Sequence, residues 1–436
     1  MQTNLSGKLA LLPLLLFLCL FLGVGFYFQA QGVEYAFYQL PAPAAMLPAI
    51  LLAVWLSKES LNRTIEHFVA GAGHNNIITM CMIYLLAGAF SAVAKATGGV
   101  DATVALGLNL VPAQFILPGL FVIAGFIATA MGTSMGTIAA LAPVALGVSE
   151  AADIAPALVA GVLVSGAIFG DNLSIISDTT IAATRTQGCE MRDKFKANLH
   201  LALPAALLVL VWLMVLSEPA SLVPPEDANL WLVLPYILIL VLAVSGLNVF
   251  AVLVIGIISS ALLGMLAGDY QLVSIGKDVY TGFGQMQEVF ILSLLLGGLS
   301  ALMREQGGLA FLVRSISGLI KKSSLPPKLG YSIGIAALIS AVNACVANNT
   351  VAIIVAGDTA KELAGQGGIE PKQAASLLDI FACVLQGILP YGAQLLLLGA
   401  SFSISPVDII PNAFYCYILA GVTLSSFVWQ YLRTKK

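Results

Sequence analysis

Apolar residues fill this chain in long runs rather than in stripes. Runs of about 20 residues, the length that crosses a bilayer as a helix, begin with Leu9 to Phe28, continue through Pro43 to Leu56 and recur as far as Phe427. No segment between them is long enough to form a soluble domain. The first run follows Lys8, but its core outlasts that of a leader peptide and no small-x-small cleavage pattern follows Tyr27, so it reads as a span. The pattern predicts an all-α polytopic membrane protein with about 10–14 membrane segments.

The second pattern is a repeat. Leu85 to Val100 (LLAGAFSAVAKATGGV) and Leu294 to Leu309 (LLLGGLSALMREQGGL) are identical at 7 of 16 positions at a constant spacing of 209. Further on the spacing drifts as loops differ. Met131-Gly-Thr-Ser-Met-Gly-Thr137 aligns with the segment around Ala347 to Thr350, and Ser165 to Asn172 with Gln386 to Gln394. Two copies are predicted, residues 1–217 and 228–436, meeting near the polar loop Ser217 to Asn229.

Composition excludes a soluble fold: charged residues are 9% of 436 and hydrophobic ones 59%, against roughly 25% charged in soluble domains. The net charge of −3 is spread thinly and gives no argument for a nucleic-acid partner. Charge position says more, because cytoplasmic loops collect Lys and Arg. In the first copy Lys8, Lys58, Arg63, Arg185, Arg192, Lys194 and Lys196 fall in loops assigned inside. In the second copy the loop Ser401 to Pro411, equivalent to the basic 185–198 stretch, has none, while Arg304, Arg314, Lys321, Lys322 and Lys328 crowd a loop that is sparse in the first. With Arg433, Lys435 and Lys436, fifteen of the nineteen basic residues fit inverted-topology repeats with both termini cytoplasmic. Lys95 and Lys277 count against it. The six cysteines are scattered singly, without the spacing of a disulfide framework or a thiolate metal site.

Chemistry gathers in four polar interruptions of the apolar runs, two per copy, as expected of broken or re-entrant helices at a transport site. The first is Met131 to Thr137, where Gly132 and Gly136 permit unwinding and Thr133, Ser134 and Thr137 offer oxygens to a small hard cation; helix packing is the competing use of the glycines. The second is Gly170-Asp-Asn-Leu-Ser-Ile-Ile-Ser-Asp-Thr-Thr180. An intramembrane aspartate costs about 2.5–3.5 kcal/mol on insertion scales, and two occur here, with Asn172 and Ser174 beside them. Asp171, Ser174 and Asp178 share one face if the helix is continuous. A carboxylate among neutral oxygens takes Na+ or H+ but not both, a physical basis for exchange. The third interruption, Asn343 to Thr350, brings Asn348, Asn349 and Thr350, with the asparagines also placed to cap a half-helix. The fourth, Gln386 to Gln394, is broken by Pro390 and Gly392 and carries neutral amides where the second carries acids.

Other groups weigh less. Asp379 lies in an apolar run and is a candidate for a proton path, whereas His67, His74 and His200 read as surface residues at loops and a membrane boundary. Gly132-Thr-Ser-Met-Gly136 matches the G-x-S-x-G pattern of hydrolases, but the sequence offers Ser134 no convincing base, and the repeat copy lacks the element. Neither H-E-x-x-H nor G-x-x-x-x-G-K-[ST] occurs, so neither metalloprotease chemistry nor ATP-driven transport is indicated. A channel would need neither the repeat nor a competitive carboxylate.

The stretch from Gly170 to Thr180, preceded by Met-Gly-Thr-Ser-Met-Gly-Thr and followed by Arg192 to Asn198, resembles the signature of the NhaC-type sodium/proton antiporter family within a wider ion-transporter superfamily. The resemblance implies Na+/H+ exchange by a fold with inverted repeats and re-entrant hairpins. It also allows family members that exchange organic acids such as malate and lactate, or that are assigned to amino acids. The expectation is a secondary carrier, not an enzyme, without cofactors. Na+ is held at Asp171, Ser134 and Asn349, helped by Asn172, Ser174, Thr133, Asn348, Thr350 and Gln394, with Asp178 as a second proton carrier. The expected partners are the lipid bilayer, Na+ and H+, with a small organic acid or amino acid as the alternative substrate and a second copy of the chain as a homodimer.

Overall fold

A computed structural model describes residues 7–33, 36–217, 229–267, 270–322 and 325–434. Glu218, Glu226 and Asp227 of the junction loop, Lys435 and Lys436 lie outside them. Among the described residues all regular structure is helical. The first copy opens with α1 (Leu12–Ala30), α2 (Ala42–Leu56), α3 (Leu61–Ala72), α4 (Asn75–Ala96) and α5 (Gly99–Leu110). It closes with α6 (Ile116–Met131), α7 (Ser134–Ala151), α8 (Pro156–Leu173), α9 (Asp178–Gln187) and α10 (Met191–Leu216). The second copy holds α11 (Leu234–Val244), α12 (Val249–Ala267), α13 (Leu272–Gln285), α14 (Gln287–Glu305) and α15 (Gly308–Lys321). There follow α16 (Pro327–Val346), α17 (Asn349–Gly367), α18 (Pro371–Gln386), α19 (Ala393–Phe402), α20 (Pro406–Ile409) and α21 (Phe414–Thr434).

Among the described residues nine helices are long and apolar enough to cross a membrane, or up to ten if a pair bent by 105° at residues 393–412 counts as one. The chain is a multi-pass membrane protein. Helix α10 shows why: Ala202, Ala205, Val209 and Leu213 are buried, yet the opposite side exposes Leu203, Leu207, Val211 and Val215. A helix apolar all round, with one side uncovered by protein, faces lipid.

The two copies are legible in the backbone itself. All ten described residues with positive φ fall into five pairs near equivalent helix ends: Gly32 with Gly246, Gly98 with Gly307, Gly132 with Ala347, Asp153 with Gly368, and Gly188 with Ser403. From Gly132 onward every pair is separated by 215 (347 − 132, 368 − 153, 403 − 188). The shift from 209 to 215 is not a loop effect. Helix α15 has 14 residues where α5 has 12, and α16 has 20 where α6 has 16, which accounts for all six. The register expected from the sequence beyond Ser165 is therefore corrected: Asp171, not Ser165, stands opposite Gln386, and Thr179 stands opposite Gln394.

The copies also interlock. Helix α3 crosses α14 where Gly71 lies on Gly297 and Gly298, and α13 crosses α4 where Gly282 lies on Gly88. A Cβ at any of these positions would run into the partner helix. Gly71 and Gly282 are equivalent in the repeat, as are Gly88 and Gly297, so the contact is reciprocal, as a two-fold relation requires.

Candidate functional site

Four helix breaks surround one cavity. Helix α6 stops at Gly132 in the left-handed region, and Thr133 caps α7 by accepting from the Gly136 N–H at 3.4 Å. The equivalent break after α16 uses Ala347 at φ 52°, and Asn348 caps α17 through the Val351 N–H at 3.0 Å. Holding a residue with a Cβ in that region costs roughly 1–2 kcal/mol, so neighbours must over-determine this turn. Between α8 and α9 the chain is non-helical, and between α18 and α19 it passes through Pro390 and Gly392. The cavity is about 110 Å3, and Ser134, Asp171, Ser177, Asp178, Asn349 and Gln394 are among its lining residues. Four half-helices, α7, α9, α17 and α19, begin there, so their positive N-terminal ends favour negative charge.

Asp171 is buried at the wall. Its Oδ2 accepts from the Ser134 hydroxyl at 2.7 Å and from the Ser134 N–H at 3.2 Å, and its Oδ1 accepts from the Ser177 hydroxyl. The second copy reaches it through amides. Gln386 Nε2 donates to Gln394 Oε1 at 2.9 Å and to the Ala347 carbonyl at 3.2 Å, and Gln394 Nε2 donates to Ser134 Oγ at 3.0 Å. Among the described residues no Lys, Arg or His nitrogen lies within ion-pair distance of Asp171.

The expected site residues divide. Thr133, Ser134, Asp171, Asp178, Asn348, Asn349, Thr350 and Gln394 all line the cavity. Thr133 and Asn348 spend their side-chain oxygens as caps, and Asn349 Oδ1 accepts from the Thr350 N–H at 3.0 Å. The continuous helix that would align Asp171, Ser174 and Asp178 does not form. Ser174 Oγ accepts the Ile176 N–H at 3.3 Å and its carbonyl accepts the Thr180 hydroxyl at 2.8 Å, so local side-chain bonds replace the helical ladder. Ser174 is not among the residues that line the cavity, and Asp178 is an exposed residue at the first position of α9. Ser177 takes the place the sequence gives to Ser174.

Asn172 also departs from expectation. It faces a second buried network, in which Asp379 Oδ2 accepts from Lys194 Nζ at 2.8 Å, Asn198 Nδ2 at 2.7 Å and Asn172 Nδ2 at 3.2 Å. Lys194 Nζ further donates to Thr180 Oγ1 at 2.7 Å and the Asn172 carbonyl at 3.2 Å. Lys194 and Asp379 are both 0% exposed. Lys194 is therefore not a basic loop residue, and one of the charges used for topology is removed from that count. A sequence signal existed: Lys194, Ala197, Asn198 and Leu201 follow the i, i+3, i+4, i+7 spacing of a single helix face.

The chain is similar to several known transporters. The profile of the Na+/H+ antiporter family matches residues 11–217. The Na+/H+ antiporter NhaC of Bacillus subtilis is 24% identical over 417 residues, covering 87% of this chain and 91% of that protein. The malate-2H+/Na+-lactate antiporter of the same organism is 26% identical over 316 residues, covering 67% and 66%. The crystal structure of the YdaH transporter of Alcanivorax borkumensis aligns over 98% of both chains at 16% identity with a TM-score of 0.43. Residues 11–217 thus match the Na+/H+ antiporter family, and over most of its length the chain is similar to NhaC-type antiporters.

Proposed function

We propose that the protein exchanges Na+ for H+ across the membrane, with the two ions competing for Asp171. The observation that carries this reading is a buried carboxylate on a polar cavity with hydroxyl and amide neighbours and no basic partner among the described residues. Nothing fixed neutralises it, so that role falls to an arriving ion. With a proton on Asp171, the Ser134 and Ser177 hydroxyls act as neutral neighbours; with Na+, they rotate and turn oxygen lone pairs to the ion. Gln394 steers Ser134 by donating to its oxygen, and Asn349, which lines the cavity, is a further oxygen source. Asp178, exposed on the same cavity, is the second proton carrier. The copies 1–217 and 228–436 act as inverted repeats with both termini cytoplasmic in a bacterial inner membrane.

The relative that exchanges malate and lactate gives the alternative substrate class. Against it, a cavity of about 110 Å3 is small and has no cationic side chain in its lining to receive a carboxylate. The test is purified protein in liposomes under a pH gradient, challenged separately with Na+, Li+, K+, malate, lactate and amino acids. Proton movement on Na+ alone, lost in Asp171→Asn, is the expected result. Movement only with an organic solute, or sodium-dependent flux retained by Asp171→Asn, overturns the proposal.

A further inference from the structure

A second cavity, about 440 Å3, shares no lining residue with the Asp171 cavity and lies at the end of the bundle where α10, α16 and α18 begin and α21 ends. Lys196, Lys328 and Lys372 line it, with Asp193 as the acidic lining residue. Lys372 is paired with Glu370 at 2.8 Å, and their hydrogen bond and charges raise the lysine pKa and lower that of the glutamate. Among the described residues Lys196 and Lys328 have no carboxylate within ion-pair distance, although Lys328 adds to the positive field that lowers the Glu370 pKa. The wall beneath them contains an independent oddity. Ser376 is 3% exposed, and its hydroxyl has no hydrogen-bond partner among the described residues. A hydroxyl buried without a partner costs about 1–3 kcal/mol, a loss that a ligand supplying an acceptor recovers. Beside it, Gln373 uses its amide oxygen on the Glu370 N–H at 3.4 Å, which leaves the amide N–H groups for an outside acceptor. Leu201, Leu377 and Phe427 complete the lining with apolar surface.

We propose that this pocket binds a phosphate-type oxyanion, held by the charges of Lys196 and Lys328 and by a hydrogen bond from Ser376. Lysines act as point-charge binders of phosphate, and basic pockets between membrane helices near a boundary suit lipid headgroups. The anion comes from an anionic phospholipid, whose chain the apolar wall accepts, or from free phosphate. This site is independent of the transport reading, because none of its residues lines the Asp171 cavity.

The experiment has two arms read by unfolding temperature. Protein in phosphatidylcholine nanodiscs is titrated with phosphatidylglycerol, and detergent-solubilised protein is titrated with inorganic phosphate. Wild-type protein is compared with Lys196→Gln/Lys328→Gln, with Ser376→Ala, and with Lys95→Gln/Lys277→Gln, which removes the same charge at exposed positions elsewhere. Saturable stabilisation is expected in at least one arm, its midpoint weakened about ten-fold by the Lys196/Lys328 change and about five-fold by Ser376→Ala, consistent with hydrogen bonds to charged groups. A response to the lipid alone assigns the headgroup; a response to phosphate assigns the free anion. Absence of saturation in both arms, or Ser376→Ala titrating like wild type, or the control change weakening the midpoint as much, overturns the proposal.

Discussion

Asp171 and Asp379 are both buried aspartates of one polar core, joined through Asn172, yet they are built for opposite tasks. Asp379 has a lysine at 2.8 Å and two amide donors on the same oxygen. Its charge is answered permanently, within the protein. Asp171 has hydroxyl donors and one N–H, with no cation among the described residues, and it borders the cavity. Burial alone does not mark a coupling site; a carboxylate whose countercharge is missing does. The first copy carries the open acid, and its equivalent in the second copy is neutral Gln386.

The comparison breaks most visibly at the fixed pair. Lys194→Met should destabilise the folded protein by about 3–5 kcal/mol, because it strands a buried charge. Thermal unfolding in detergent checks this, and Lys194→Met/Asp379→Leu should recover most of the loss because no charge then remains. Asp171→Asn, in contrast, should unfold within about 1 kcal/mol of wild type while losing sodium-driven proton flux. Equal destabilisation by both substitutions would erase the distinction between the two acids.

Smaller effects sharpen it. Ser177→Ala and Ser134→Ala each remove a hydrogen bond to a charged oxygen, worth about 1.5–3 kcal/mol. Each should raise the sodium concentration for half-maximal exchange roughly ten-fold or more, measured as flux against Na+ in proteoliposomes. Gln394→Leu removes the donor that steers Ser134 and the acceptor of Gln386 but no bond to Asp171 itself, so a shift of about three-fold is expected, less than one neutral hydrogen bond is worth. The smallest effect is structural: Ala347→Gly should stabilise by about 1 kcal/mol, since glycine takes the left-handed turn without a Cβ.

Much of this was legible in the sequence, for identifiable reasons. Apolar runs and a repeat survive in composition because lipid tolerates any apolar residue, and Asp171 stood out because charge there is costly. Lys194 was hidden because counting basic residues treats every lysine as surface, whereas its helical spacing from Asn198 was the better guide. Ser174 was preferred to Ser177 by assuming an unbroken helix; a run of Ser, Asn, Asp and Thr supplies enough side-chain competitors for backbone donors to end one. The register error arose because two helices, not two loops, differ in length between the copies.

The crossed helices have a consequence for biosynthesis. The notch at Gly88 on α4 is filled by Gly282 of α13, which leaves the ribosome 194 residues later (282 − 88). The first copy must therefore wait in the bilayer with a bare seam, and severing the chain at the junction would yield two fragments that each lack a clasp the other carries. Co-expressed, such fragments should find each other; expressed singly, each should be degraded.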